Sequence, residues 1–226
     1  VLTPYMANLD GFVLTHTYET VDVPTHEQAD VFLPPYETTN KLDLDNPQNA
    51  GFSAGPEYNY IFKQKEHEGM LNAFAAIDEA EEKFAKIFGR KYTGPIEEYK
   101  TEDADFIIIT LGSIAGLCKK TADELREKGI KAGVLRIRYL RPFPSEKIAK
   151  AVKKAKAVAV LEKDISFGNE GTVYSNVNSA LLKYGAFVKS YNFVGGLGGK
   201  NISEKDIENI YLSLSDDKDI DFVNFI

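Results

Sequence analysis

The sequence predicts an α/β fold in which a parallel-dominated sheet is covered by helices on both faces, in three layers. Between residues 101 and 226, apolar runs of strand length alternate with segments that have the apolar spacing of a helix. Glycine-bearing loops such as Thr110–Ser113 and Val194–Gly199 join the runs to the helical segments. Repetition of strand, tight loop and helix is typical of a parallel sheet, whose working edge is the carboxyl end of its strands.

Each predicted element has its own signal. Unbroken apolar runs favour strands buried on both faces, and Ser113 and Ser203 are good helix N-caps. Asp206 completes a capping box with Ser203, and right-handed crossovers predict a parallel sheet of four or five strands. The tail after Asp216 is expected to dock on the body of the domain. The predicted strands are Asp105–Thr110, Gly133–Leu140, Ala157–Glu162 and Phe187–Phe193, and the predicted helices are 113–128, one holding Ile148, Val152 and Ala155, 171–183, and one from Ser203.

One predicted strand has a polar side. Arg136 and Arg138 alternate with apolar residues, which does not fit a strand buried on both faces. This strand is expected to lie at the sheet margin, or its arginines to meet a carboxylate or a partner subunit.

A long amphipathic helix is predicted over residues 59–88, where one apolar stripe is formed by Met70, Leu71, Phe74, Ile77, Phe84 and Phe88. The acidic residues 78–82 lie mostly on its polar side, and Gly89 is a natural stop. A linker through Thr93–Pro95 follows, so that 59–100 is expected to form a helix and linker before the domain at 101–226.

Residues 1–58 are predicted to be an irregular strap. They carry six of the nine prolines, yet they also carry aromatic residues that disordered linkers lack. Short extended pieces are expected at Met6–Leu9 and Gly11–Leu14, and a helical turn near Thr25. The aromatic groups are expected to pack on another surface, and they are Tyr5, Phe12, Tyr18, Phe32, Tyr36, Phe52 and Tyr58.

Charge and composition exclude several function classes. The net charge of −7 is uneven, with 8 Lys+Arg against 17 Asp+Glu in residues 1–100 and 19 against 17 afterwards, which argues against nucleic-acid binding. No apolar run is long enough for a membrane span, and no signal peptide is visible, so a cytoplasmic location is expected. The single cysteine, Cys118, excludes an intramolecular disulfide and a cysteine-ligated cluster built by this chain alone; we expect it to be a buried small hydrophobe. The opening at Val1 suggests a fragment or a processed piece.

The glycine loops are the candidate functional features. Backbone N–H groups at a helix start favour anions, but none of the loops has a dinucleotide or P-loop fingerprint. The run Gly195–Lys200 comes nearest to such a phosphate-binding fingerprint. The favoured interpretation is that its glycines let the backbone pass close to other atoms, such as those of a neighbouring subunit. His16, His26 and His67 have no metal-ligand spacing.

Six strings in order resemble the alpha subunit of pyruvate:ferredoxin oxidoreductase, in the 2-oxoacid:ferredoxin oxidoreductase family. The resemblance covers nearly the whole chain. The strings are Leu9–His16, Phe32–Tyr36, Gly112–Gly116, Leu135–Pro144, Ile165–Gly171 and Val194–Ile202.

The resemblance implies a thiamine-diphosphate-dependent enzyme that oxidises a 2-oxoacid, such as pyruvate, to acyl-CoA and CO2 and reduces ferredoxin. Residues 1–58 would be the tail of the pyrimidine-binding domain, and 101–226 a transketolase C-terminal-like domain. The family's catalytic residues have no counterpart in this sequence, so the chain is expected to be inactive alone and to bind no cofactor alone. Thiamine diphosphate with Mg²⁺ and iron–sulfur clusters would belong to the intact complex with beta, gamma and delta subunits, ferredoxin and coenzyme A.

The resemblance makes the loops candidate interfaces or neighbours of an active site. The alternative functions are a free-standing flavodoxin-like module that binds a nucleotide or flavin, and a thiamine enzyme of another branch. The candidate residues are Asp10, Gly11, His16, Gly168, Asn169, Glu170, Gly195, Gly196, Gly198 and Gly199.

Overall fold

A computed structural model describes residues 1–11, 13–38, 40–49, 51, 53–216 and 220–226. The chain divides into two compact units. The first, the helical unit, comprises Val1–Asn8 and Thr17–Tyr92; the second, the sheet unit, comprises Leu9–His16 and Thr93–Ile226.

Among its described residues, the helical unit contains two helices, α2 (His26–Phe32) and α3 (Pro56–Phe88). Helix α2 begins at Thr25, whose hydroxyl accepts from the Gln28 N–H while the Gln28 side chain accepts from the Thr25 N–H. This capping box confirms the helical turn predicted there. Helix α3 ends at Gly89, which has a φ of 68°, as its position after the apolar stripe predicts.

Aromatic side chains join α2 to α3. The Phe32 ring lies 5.5 Å from that of Phe84 and 5.6 Å from that of Phe88, and Lys83 donates to the Phe32 carbonyl oxygen at 2.7 Å. No described residue before Gly94 is buried, and Leu71 on the predicted stripe is 50% exposed. The described residues of the helical unit therefore make side-chain contacts but form no buried core.

Neither extended piece predicted near the start of the chain is a strand. Met6–Leu9 has no regular structure, and Val13–His16 forms a short helix, α1, in the sheet unit. Phe12 and Phe52 of the predicted aromatic set lie outside the described residues.

The sheet unit confirms the predicted three-layer, parallel-dominated α/β fold. Its described residues form a sheet of six strands in the order β1-β3-β2-β4-β5-β6. All neighbouring pairs are parallel except β1 and β3. The strands are β1 (Ile96–Tyr99), β2 (Phe106–Leu111), β3 (Ala132–Ile137), β4 (Ala157–Glu162), β5 (Lys189–Val194) and β6 (Val223–Phe225), and the helices are α4 (Ile114–Glu127), α5 (Ser145–Val152), α6 (Thr172–Lys183) and α7 (Glu204–Asp216).

The parallel part of the described sheet has five strands, within the expected four or five, and the antiparallel edge strand β1 is an addition that the sequence did not predict. Strand β1 was predicted as linker, and its Glu97 and Glu98 interrupt any apolar pattern. Strand β6 pairs with β5, which confirms the expectation that the tail after Asp216 docks on the body of the domain.

Two cores flank the sheet. Helices α5 and α6 cover one face with Ile148, Val152 and Val177, and α4 and α7 cover the other with Leu125 and Tyr211. Cys118 is fully buried in the second core, as expected, and burial raises the pKa of its thiol to about 12.

The polar strand β3 does not lie at the sheet margin, because β1 covers its outer side. Arg136 meets the carboxylate of Glu97 on β1 at 3.6 Å, and Arg138 donates to the carbonyl oxygen of Gly94 at 2.7 Å. Of the expectations for these arginines, the carboxylate partner is confirmed for Arg136. No helix in the described part of the chain is long and apolar enough to cross a membrane.

Candidate functional site

The carboxyl edge of the sheet brings three glycine-bearing loops together. Strands β2, β4 and β5 are parallel neighbours that end there, at Leu111, Glu162 and Val194. Each loop continues into a helix or helical turn, so several helix N-termini meet at this edge, where their free N–H groups favour negative charge.

Glu162 closes β4 and places a buried carboxylate at the start of α6. Its Oε2 accepts from the Val173 N–H at 2.7 Å, and its Oε1 accepts from the Tyr174 N–H at 3.0 Å. Asn192 on β5 donates to Oε1 at 3.1 Å and accepts from the Gly171 N–H at 2.8 Å. Desolvation raises the pKa of Glu162 above its ordinary value although these N–H groups favour its charged form.

Gly171 makes room for this carboxylate. A Cβ at that position would lie 2.1 Å from Oε1 of Glu162, a distance that no side chain tolerates. The loop before it is held by its own bonds, from the Ser166 N–H to the Glu170 carbonyl oxygen at 3.2 Å and from the Ser175 hydroxyl to Oε1 of Glu170 at 2.7 Å.

Asp10 occupies the start of α4. Its Oδ2 accepts from the Ser113 N–H at 2.8 Å, and its Oδ1 lies 3.5 Å from Nζ of Lys163. Ser113 was predicted to cap α4 with its side chain. Ser113 occupies the N-cap position, but its backbone is helical and its side chain makes no capping hydrogen bond. The carboxylate of Asp10 occupies the start of the helix instead.

The third loop follows β5. Gly195 is buried and donates its N–H to the Glu162 carbonyl oxygen at 3.1 Å, and a short 3₁₀ turn covers Leu197–Gly199. At the start of α7, Oδ2 of Asp206 accepts from the N–H and the hydroxyl of Ser203 at 2.8 and 2.7 Å. The capping box predicted there is confirmed.

The candidate residues fall into two groups. Those in contact with other residues of the loops are Asp10, Glu170, Gly195 and Gly196. A Cβ added to Gly196 would lie 3.2 Å from Cε of Lys163. Those exposed at the surface are Gly11, His16, Gly168, Asn169, Gly198 and Gly199.

Sequence reasoning missed Glu162 and Asn192 as a buried polar pair. The available signal was a single charged residue that ends the otherwise apolar run of β4. Its partner Asn192 gave no signal, since it lies in a strand of mixed polarity, 30 residues further along the chain.

This edge does not fit a diphosphate or a metal ion. At the starts of α4, α6 and α7, the chain's own carboxylates already accept from N–H groups, namely those of Ser113, Val173, Tyr174 and Ser203. Over the described residues, no group of three His, Cys, Asp or Glu side chains is placed to hold a metal. At this edge of the three-layer α/β framework, the positions that would bind an anion are therefore occupied by carboxylates of the chain itself.

Two family models match the chain. Residues 104–207 match the model described as pyruvate:ferredoxin oxidoreductase core domain II, and residues 1–82 match pyruvate flavodoxin/ferredoxin oxidoreductase, thiamine diP-binding. The chain belongs to the pyruvate:ferredoxin oxidoreductase family, within the 2-oxoacid oxidoreductases, and corresponds to a part of its alpha subunit.

Curated relatives support this assignment. Pyruvate synthase subunit PorA of Methanothermobacter thermautotrophicus is 41% identical over 93% of this chain and 54% of its own. Ketoisovalerate oxidoreductase subunit VorA of Pyrococcus abyssi is 35% identical over 93% of this chain and 53% of its own. The chain thus spans about half the length of these relatives.

A solved structure, 2-oxoglutarate:ferredoxin oxidoreductase from Magnetococcus marinus, resembles 72% of this chain over 24% of its own, with a TM-score of 0.48 and 18% identity.

Proposed function

We propose that this chain is a portion of the alpha subunit of a thiamine-diphosphate-dependent 2-oxoacid:ferredoxin oxidoreductase. The assembled enzyme would cleave the carboxylate of the 2-oxoacid as CO2, transfer the acyl group to the thiol of coenzyme A and pass the released electron pair to ferredoxin. The observation that carries the proposal is the 41% identity to a pyruvate synthase subunit over 93% of the chain.

Within that enzyme, this portion would act as a framework and a surface for other subunits. The filled helix N-termini support this role, because a loop whose N–H groups are already bonded offers them to no ligand. The same observation weighs against a free-standing nucleotide- or flavin-binding module. Beta, gamma and delta subunits, Mg²⁺ and iron–sulfur clusters belong to the proposal at the level of the complex.

The substrate is proposed to be pyruvate rather than a branched 2-oxoacid. The pyruvate synthase relatives are 36–42% identical to the chain and the ketoisovalerate relatives 35% identical, over similar shares of it.

Reconstitution tests the proposal. The chain would be combined with the remaining segments of its complex and assayed with pyruvate or 3-methyl-2-oxobutanoate, coenzyme A, thiamine diphosphate, Mg²⁺ and a low-potential dye. We expect acyl-CoA formation only in the assembly, with a higher kcat/KM for pyruvate. Turnover by the chain alone would overturn the framework role, and an inactive, fully assembled complex would overturn the enzyme class. Tight binding of a flavin or nucleotide by the chain alone would instead favour the module.

A further inference from the structure

The contact between Asp10 and α4 joins residues far apart in sequence. The carboxylate and the Ser113 N–H that it accepts from are 103 positions apart, and Lys163 comes from the end of a different strand. Segment Leu9–His16 clusters with the sheet unit, although the residues on both sides of it belong to the helical unit. The Asp10 contact is thus an attachment of that segment to the sheet edge.

Three donor groups converge on this carboxylate. The hydroxyl and the N–H of Ser113, followed by Lys163, hold the pKa of Asp10 below its ordinary value against the opposing effect of desolvation. Gly112 has a φ of 72°, and a Cβ there would lie 3.2 Å from Oδ2 of Asp10, so glycine suits both the turn and the close approach.

Helix α4 supplies no anion of its own. Its first turn contains no acidic residue, and no side chain within the helix caps its start. The partial positive charge of its N-terminus is therefore met from outside the helix. Glu162 at α6 is nearly fully buried, whereas the side chain of Asp10 is 30% exposed, so solvent reaches the Asp10 position but not that of Glu162.

We propose that Gly112, Ser113 and Lys163 form a carboxylate-binding site, that Asp10 is its ligand within the chain, and that this contact anchors segment 9–16 to the sheet edge. The site, here named the Asp10 site, takes a single carboxylate. Anchoring fixes the exposed apolar side chains that flank Asp10, of which Leu9 is 82% and Val13 69% exposed. This inference rests on the geometry and is independent of the proposed enzyme activity.

Hydrogen–deuterium exchange on the full 226-residue chain tests the anchor. Asp10→Ala removes the ligand and is expected to raise exchange about five-fold in segment 9–16 and in the first turn of α4, as loss of a helix cap worth about 1 kcal/mol does. Asp22→Ala is the matched control, since Asp22 is 83% exposed and lies 3.9 Å from its arginine partner.

Addition of acetate tests the ligand class. In the Asp10→Ala chain, acetate is expected to restore protection at the start of α4, whereas chloride at equal ionic strength does not. The double variant Asp10→Ala, Lys163→Gln should lose most of this rescue, because the cation is gone. Exchange that matches the Asp22→Ala control, or rescue by chloride as well as acetate, would overturn the proposal. Raised exchange throughout β4 in the Asp10→Ala chain would indicate wider unfolding, and Asp10→Asn is then the variant to use. Asparagine keeps the size of the side chain and one acceptor oxygen but has no charge, and it should still raise exchange in segment 9–16. Unchanged exchange in that segment would also overturn the proposal.

Discussion

At the scale of single residues, Glu162 shows how a charged group is accommodated in a core. It is 3% exposed, and three donors reach its two oxygens. A buried carboxylate without such partners would be strongly destabilising, so the surrounding residues are constrained by it. Gly171 is the most constrained of them.

Gly171→Ala is therefore expected to destabilise the protein by about 2 kcal/mol, since overpacking a tight site costs about 1–3 kcal/mol and the clash involves the buried Glu162 carboxylate. The measurement is the free energy of unfolding from urea denaturation. Gly116→Ala is the matched control, because Gly116 lies within α4 with no atom within 4 Å of its added Cβ. That control should gain up to about 1 kcal/mol. Equal stabilities of the two variants would contradict this account of Gly171.

At the scale of elements, α7 packs on α4 and the sheet through apolar side chains, and polar contacts surround this apolar interface. Lys128 on the turn after α4 pairs with Glu208 at 2.9 Å, and Lys120 pairs with Glu204. The buried hydroxyl of Tyr211 donates to the Gly133 carbonyl oxygen at 2.8 Å. The ion pairs lie at the surface and stabilise modestly, while the apolar interface carries most of the packing.

Acid is expected to weaken this attachment through Glu208. Lys205 and Lys128 lower the pKa of Glu208 from 4.5 to about 2. Because the folded pKa is the lower one, its contribution is fully present above pH 4.5 and is lost as the pH falls to about 2. Glu208→Gln should flatten the fall of the urea midpoint over that range, whereas Glu57→Gln, at the start of α3, should leave it as in the wild type. An unchanged acid profile in Glu208→Gln would refute this role.

At the scale of the whole molecule, the two units differ in how they are stabilised. The sheet unit has a core on each face, whereas no described residue before Gly94 is buried. Large apolar side chains of α3 stand exposed, including Tyr58, Tyr60 and Ile61. Large apolar side chains left exposed close together along one helix are typical of interaction sites.

Hydrogen exchange of the chain alone is therefore expected to be fast over residues 17–92 and slow in β2 and β4. An amphipathic helix whose apolar face is not buried is only marginally stable in water. The amides of the central strands lie between two cores and exchange only on global unfolding. Adding the complementary chains of the proposed complex should slow exchange in α3. Protection of α3 equal to that of β2 in the chain alone would show that the helical unit is stable by itself.

Much of the fold was predictable because its signals are local. Strand β4 was predicted to the residue, β2 to within one residue at each end, and α6 to within one residue of its start, since apolar runs and glycine junctions mark them directly. Strand β3 ends at Ile137, three residues before its predicted end at Leu140. Helix α5 ends at Val152, before the predicted Ala155.

The candidate site was only partly predictable. The glycine loops and Asp10 were named from sequence, but their roles depend on partners that are distant along the chain. Whether the exposed loop residues contact other subunits stays a prediction.

The sequence by itself determined the class of fold, the order of its main elements and the family resemblance, because these follow from local periodicity, caps and short strings. Only the tertiary structure decided which residues meet at the sheet edge. Asp10 reaches α4 across 103 positions, and Asn192 reaches Glu162 across 30. Such pairings have no local signature, since strand order and the carboxyl-edge register place the partners together, and the partial positive charge of the helix N-termini then favours carboxylates at these positions.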